Sequence, residues 1–262
     1  MNSKILIIAG SDPSGGAGIQ ADLKTATAHK VYAGAVITCL TAQNTQKVFA
    51  VENPSIKFLR QQLEVVLADI KFDVIKIGML GNADIIECVA DVLAKKAKNI
   101  PLILDTVMVA TSGDLLLEKN AVAALKKFVK AAKIVTPNID EAKVLSGISI
   151  KNLEDMKRAA LVIKELGCKS VLIKGGHLNF SDGKIYSVLL DEKNKFYLIS
   201  NKKVGKKNIH GTGCTLASAL ACNLAKKMDL VKATKAANAY VYSSIVKSLK
   251  VGKGSLVLQH FN

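Results

Sequence analysis

The chain of 262 residues is 50% hydrophobic, with no Trp and 5% aromatic residues, so its core is aliphatic and large enough for one domain or two. Its formal net charge is +16 at pH 7, yet Arg60 and Arg158 are its only arginines, and lysine pairs such as Lys95/Lys96, Lys126/Lys127 and Lys226/Lys227 describe a solvated surface that draws small anions. This argues against a nucleic-acid binder, whose guanine contacts rest on arginine; five cysteines without CxxC or zinc spacing argue against a closed disulfide framework and fit reduced thiols in a cytoplasm.

Apolar runs of strand type alternate with segments of helical period, the pattern of a βαβ protein with a parallel sheet. Residues 5–9 (Ile-Leu-Ile-Ile-Ala) open it and are too short for a signal peptide's apolar region; no run approaches the roughly 20 residues that cross a bilayer. Residues 35–40 form the next strand, and Ile56, Leu59, Leu63, Val66, Leu67 and Ile70 then mark one helical face. Strands at 74–77 and 102–104 precede a second face at Val122, Leu125 and Val129; strands at 134–135 and 171–173 follow. The pattern then changes to an antiparallel hairpin, 184–190 and 196–200, joined by a polar Asp-Glu-Lys-Asn turn. Helices at 215–227 and 231–249 close the chain. Without a linker, a low-complexity stretch or a repeat, residues 1–262 read as one domain, and the right-handed crossover rule makes a three-layer α/β/α sandwich with a mostly parallel central sheet the expected architecture.

Ligands bind such sheets beyond the carboxyl ends of the strands. Polar motifs follow several strands here. Gly10-Ser-Asp-Pro-Ser-Gly-Gly-Ala-Gly18 matches neither a P-loop nor GxGxxG, and it is either part of a site or a turn that fits strand to helix. Asp22 beside it either recognises an amine or ring nitrogen or is a solvated first-turn acid. His210-Gly-Thr-Gly-Cys-Thr215 places glycines ahead of a small-residue helix, a nest for an anion. Cys214 lies at that helix start, where the dipole is expected to lower its pKa and make it a base or nucleophile, with a small buried hydrophobe as the competing reading; Cys222 reads as packing. Asn138 and Glu141, three apart, either hold a hydrated Mg²⁺ or cap a helix. Asp105 at a strand end is placed to assist the metal, and Lys174 to neutralise ATP phosphates. Lys202, Lys203, Lys206 and Lys207 read as a solvated loop, with attraction of phosphates as the competing reading. His29 and His260 read as surface or satisfied core residues.

Taken together, residues 9–25, Thr41-Ala-Gln-Asn-Thr45, Lys76-Ile-Gly-Met-Leu80, residues 104–114, Thr136-Pro-Asn138, Lys174-Gly-Gly-His177 and the segment from His210 to Thr215 strongly resemble hydroxymethylpyrimidine/phosphomethylpyrimidine kinases of thiamine biosynthesis. The resemblance implies a ribokinase-like fold, a homodimer, and two successive phosphorylations of one pyrimidine by ATP. It implies that Gly10, Asp22, Gln43, Met79 and Val107 line the pyrimidine pocket. Asp105, Asn138, Glu141 and Lys174 would serve Mg²⁺ and the nucleotide phosphates, with His210 beside them. Gly211, Thr212 and Gly213 would form the anion hole, and Cys214 would deprotonate the hydroxymethyl group. The sequence departs from the family's pattern at Ser255-Leu-Val-Leu-Gln259, which stands where a Gly-Pro element is usual. Pyridoxal kinase is the nearest alternative; a basic non-catalytic binder and cysteine acyl transfer, which lacks an identifiable base, are the others.

Overall fold

The computed structural model describes residues 3–108, 117–176, 178, 181–205 and 209–261. His177, Lys206, Lys207 and residues 109–116 of the motif that follows Leu104 lie outside them. In chain order the strands and helices are β1 (Lys4–Ser11), α1 (Gly18–Ala28), β2 (Tyr32–Gln43), β3 (Val48–Glu52), α2 (Ile56–Asp69), β4 (Val74–Ile77), α3 (Ala83–Lys96), β5 (Leu102–Leu104) and α4 (Val122–Phe128). There follow β6 (Ile134–Val135), α5 (Ile139–Ser146), α6 (Leu153–Glu165), β7 (Ser170–Lys174), β8 (Lys184–Leu190), β9 (Phe196–Lys202), β10 (Ile209–His210), α7 (Thr212–Ala225), α8 (Leu230–Val246) and β11 (Leu256–Val257).

Nine strands form one sheet in the order β3-β2-β1-β4-β5-β6-β7-β8-β9. From β2 to β7 neighbouring strands run parallel, while β3, β8 and β9 each pair antiparallel with the preceding strand. The continuous apolar runs follow from burial on both faces. Along β1, Ile5 and Ile7 point into one cluster with α1, α7 and α8; Leu6 and Ile8 point into the other, with α2 to α6. All four are fully buried, each stabilising the fold by about 1.5–3 kcal/mol relative to exposure. Helix α7 carries Ala217, Ser218, Ala219 and Ala221 at no exposure, small residues that let it lie close over β1, β4 and β5. Its amino end is thereby brought over the carboxyl ends of the central strands.

The hairpin forms as expected, with Leu190 opposite Phe196. Asn194 takes φ +62° in its turn, and Asp191 Oδ1 accepts from the backbone N–H of Lys193 and Lys195 at 2.9 and 2.8 Å. Other boundaries move. Helix α7 starts three residues before the expected 215, so Gly213 and Cys214 belong to its first turn, and α8 ends three residues before 249. Three strands were not foreseen: β3, and the parallel pair β10–β11. Within the divergent stretch at 255–259, Leu256 and Val257 pair with Ile209 and His210, which ties it to the approach to α7. Among the described residues no helix is long and apolar enough to cross a membrane.

Candidate active site

The sheet reverses its winding at β1, with β2 on one side and β4 on the other, and the crevice at such a reversal is where open α/β sheets bind ligands. The strand ends there are held level. Gly78 N–H donates to Ile8 O, Asp105 N–H to Ile77 O, Thr136 N–H to Leu104 O and Lys174 N–H to Pro137 O, all at 2.9–3.0 Å. The residues just beyond the strands therefore emerge side by side.

Gly211 precedes α7 in the left-handed conformation, φ +82°, and a Cβ there would collide with the Gly16 carbonyl oxygen. A glycine is thus required to turn the chain into the helix. A Cβ on Gly213 would stand 3.3 Å from Lys174 Nζ and 3.4 Å from Asp105 Oδ2, so the first turn of α7 faces that pair directly. Asp105 Oδ1 accepts from Lys174 Nζ at 2.8 Å and from Thr136 Oγ1 at 3.0 Å. Burial acts to lower the Lys174 pKa, but the neighbouring carboxylates of Asp105 and Glu141 outweigh it and raise it. The ammonium is charged.

Asn138 and Glu141 form a capping box: Asn138 Oδ1 accepts from Glu141 N–H at 2.9 Å, and Glu141 Oε2 accepts from Asn138 N–H at 2.8 Å. Of the two readings of this pair, the helix cap is the one the contacts show, and it occupies the Asn138 oxygen. Glu141 Oε2 also accepts from Thr106 Oγ1 at 3.1 Å. Burial pushes the Glu141 carboxyl up to about 7, with Lys174 opposing and Asp105 reinforcing the shift. Among the described residues no group of three His, Cys, Asp or Glu converges as a metal site.

Cys214 corrects the expectation of a thiol made acidic by the helix end. Burial pushes it up to about 11; Lys76 and the Gly18 N–H pull it down, while the carboxylates of Asp22 and Asp105 add to the rise. Desolvation and the two acids together set the direction of the shift. Cys214 is partly exposed, unlike the other four cysteines, and Cys222 is packed at no exposure as expected.

Asp22 is also placed differently from expectation. It is no solvated first-turn acid: its side chain has no exposure, and its oxygens accept from Lys76 Nζ at 2.6 Å and Ser218 Oγ at 2.7 Å. It lies beneath the crevice and presents no accessible surface to a ring. Gly10 and Met79 do come together, a Cβ on Gly10 standing 3.3 Å from Met79 Sδ, and half-buried Val107 follows β5. Gln43 lies at the end of β2 with its Nε2 3.0 Å from His210 Nε2. His210 Nε2 is also 3.0 Å from Asp12 Oδ2, so this histidine joins Gln43 and Asp12, whereas the resemblance set it with the nucleotide phosphates.

Sequence reasoning missed Asp12, Lys76 and Ser218. Asp12 shapes the glycine-rich loop: it accepts from Ser14 N–H and Oγ, Gly16 N–H and Ala17 N–H at 2.7–3.2 Å. Burial acts to raise its pKa, but the hydrogen bonds from His210 and Ser14 hold it below the usual range. Its signal is weak, an aspartate among glycines. Lys76 left a clear one, a lysine inside the buried run Val-Ile-Lys-Ile.

Known proteins resemble this chain in sequence and fold over nearly its whole length. The profile of the family described as phosphomethylpyrimidine kinase matches residues 12–259. A hydroxymethylpyrimidine/phosphomethylpyrimidine kinase of Rhizobium meliloti is 42% identical over 266 residues, covering 100% of this chain and 98% of its own. The structure of phosphomethylpyrimidine kinase from Clostridium difficile is 41% identical with a TM-score of 0.82, over 93% of this chain and 100% of that one. An ADP complex of Bacillus subtilis pyridoxal kinase gives 0.90 at 32% identity, over 99% of this chain and 98% of that one. The fold is ribokinase-like, as these neighbours are. With sequence identity above 40% along nearly the whole length and the same fold beneath it, the chain belongs to the phosphomethylpyrimidine kinase family.

Proposed function

We propose that residues 1–262, acting as one kinase domain, transfer the γ-phosphoryl group of ATP to the hydroxymethyl oxygen of 4-amino-5-hydroxymethyl-2-methylpyrimidine, and then phosphorylate the monophosphate to the diphosphate of thiamine biosynthesis. The observation that carries this reading is the convergence at the start of α7: glycine-lined backbone N–H groups, the Cys214 thiol and the Lys174 ammonium surround one point.

The residues divide the work by their chemistry. The N–H groups of Gly211, Thr212 and Gly213 receive the equatorial oxygens of the transferring group, where aligned donors are worth most. Lys174 balances the phosphate charge. Gly10, Gln43, Met79 and Val107 hold the ring, so that its hydroxymethyl oxygen approaches in line. Cys214 Sγ accepts the hydroxyl proton. Only its thiolate can take that proton, and burial and the two acids hold the thiol at about 11, so Cys214 must first release its own proton to solvent, a loss that the Lys76 and Lys174 ammonium groups favour.

Asp105 and Glu141 are the residues that would hold Mg²⁺, which takes one or two carboxylates and completes its shell with phosphate and water. Two buried carboxylates crowded around Lys174, one raised to about 7, form a donor set whose repulsion a divalent cation relieves. The metal would supply neutralisation of the polyphosphate charge. Asn138 would contribute through the cap it forms with Glu141. Free thiols at all five cysteines support a cytoplasmic site of action, and the exposed edge at β3 supports a homodimer.

Purified protein with MgATP and the pyrimidine, followed to completion by mass spectrometry, should give two ADP per pyrimidine and a diphosphate product. One ADP and a monophosphate would remove the second step, and no turnover would remove the assignment. The close match of fold to pyridoxal kinase favours pyridoxal as the second substrate class. A specificity constant for pyridoxal as large as that for the pyrimidine would reverse the order of the two.

A further inference from the structure

Lys76 is fully buried in the middle of β4, and Asp22 Oδ2, equally buried and 2.6 Å away, is the one partner found for its ammonium among the described residues. A buried ion pair contributes little to stability compared with apolar side chains of the same volume, so its presence in an aliphatic sheet calls for another reason. The contacts around it supply one. On α1, Gly18 and Asp22 are one helical turn apart; on α7, so are Cys214 and Ser218. The two helices pack so that the Gly18 N–H meets the Cys214 sulfur and Asp22 Oδ1 accepts from Ser218 Oγ at 2.7 Å. The pair therefore sits one turn beneath the thiol, with Asp22 joined to the helix that carries it. Lys76 closes the arrangement from the sheet side; the Cβ of a residue at Gly78 would stand 2.9 Å from its Nζ and 3.0 Å from Ala9 Cβ, so a side chain there would displace the ammonium.

We propose that Lys76 and Asp22 are positioning residues for phosphoryl transfer: Asp22 seats the first turn of α7 through Ser218, and the Lys76 ammonium is the buried cation that eases proton loss from Cys214 against the burial and the carboxylates that oppose it. This rests on Cys214 being the proton acceptor. The other charges that face Cys214 are Asp105 beyond β5, which opposes the thiolate, and Lys174 from β7, which favours it. Among the described residues, neither is found hydrogen-bonded to α7 as Asp22 is. Lys76 and Asp22 thus act on the thiol with opposite signs while sharing one structural position, and that separates the proposal from a purely structural role.

The test is the rate of Cys214 alkylation by iodoacetamide at a fixed mildly alkaline pH, located by peptide mass spectrometry, with Cys214→Ser as the control that the signal comes from this thiol. Lys76→Met should slow alkylation about tenfold and Asp22→Asn should speed it about tenfold, each the equivalent of one unit in the thiol's ionisation. Shifts in the same direction, or shifts under about twofold in both, would overturn the proposal. Should Lys76→Met fail to fold, Lys76→Met/Asp22→Asn leaves no buried charge unpaired. That double variant should return to within about threefold of the wild-type rate while Asp22→Asn alone stays faster; an Asp22→Asn rate at or below wild type overturns it. Alkylation needs no substrate. Diverging rates with no ADP formation would support the electrostatic role and remove the kinase assignment, whereas unchanged rates with normal ADP formation would remove the role alone.

Discussion

At the scale of single residues, Gly211 is the position where conformation and chemistry are least separable. Its φ of +82° and its contact with the Gly16 carbonyl both exclude a side chain, and the left-handed backbone alone costs an alanine about 1–2 kcal/mol. Gly211→Ala should therefore lower the melting temperature and, by displacing N–H donors of the anion hole, cut kcat about 100-fold. Gly213→Ala is the contrast, because its methyl group would stand 3.3 Å from Lys174 Nζ and 3.4 Å from Asp105 Oδ2, a tight approach to side-chain ends that can shift by a few tenths of an ångström, and against no backbone outside α7. It should change kcat and leave the melting temperature near wild type. Equal losses of stability in the two variants would show that Gly211 is an ordinary helix-start residue. The glycines, Cys214, Asp105 and Lys174 were all legible in the sequence, because each lies at or just beyond a strand's carboxyl end or opens a helix. The thiol's proton affinity was not. A helix end is local and can be read from sequence, whereas the carboxylates of Asp22 and Asp105 reach Cys214 only through the packing of α1 and the sheet against α7. Lys76 was visible as a charge inside a buried strand, but its partner lies 54 positions away in the chain.

At the scale of elements, legibility follows burial. Strands β1, β4, β5, β6 and β7 are covered on both faces and read as unbroken apolar runs. Strand β3 has four exposed residues of five and no periodic signal, and β11 is two residues long. Both exist because a neighbour supplies the pairing. The C-terminal segment is held at its end by His260, where Nδ1 is 3.2 Å from Tyr240 Oη and 3.5 Å from Thr25 Oγ1; the expectation of a satisfied core histidine holds. Burial lowers its pKa to about 4, with the positive charges of Lys24 and His29 acting the same way. The unfolded chain then binds more protons than the folded one between about pH 6.5 and pH 4. His260 thus adds stability that is complete above the upper value and is lost as pH falls, on the order of 3 kcal/mol. In His260→Gln, urea midpoints measured across that window should fall less steeply than in wild type. A slope identical to wild type would place the acid sensitivity elsewhere.

At the scale of the whole molecule, sheet order fixes where the site lies and sheet edges decide what meets a neighbour. At one edge β9, the second strand of a long hairpin, packs in part against α8. The other is β3, where Phe49 is 60% exposed and Val51 lies beside it, while Leu40 on β2 and Phe58 on α2 expose 52% and 56% nearby. A free edge strand with apolar side chains pairs with another chain unless something blunts it, and Lys47, stacked on Phe49 at 4.6 Å, is the only such charge found against that ring among the described residues. Two copies joined at this edge would each carry +16, so apolar burial must overcome their mutual repulsion. Added salt screens repulsion over about 10 Å at 0.1 M and leaves the apolar contact intact, so the dimer should tighten as ionic strength rises. An interface built on ion pairs would loosen. Light scattering should give twice the 27.9 kDa of the single chain, and Phe49→Lys/Val51→Lys should return it to one while the far-ultraviolet spectrum is kept. A wild-type chain that is monomeric at every salt concentration, or a dimer that dissociates as salt is added, would rule out assembly through the β3 edge.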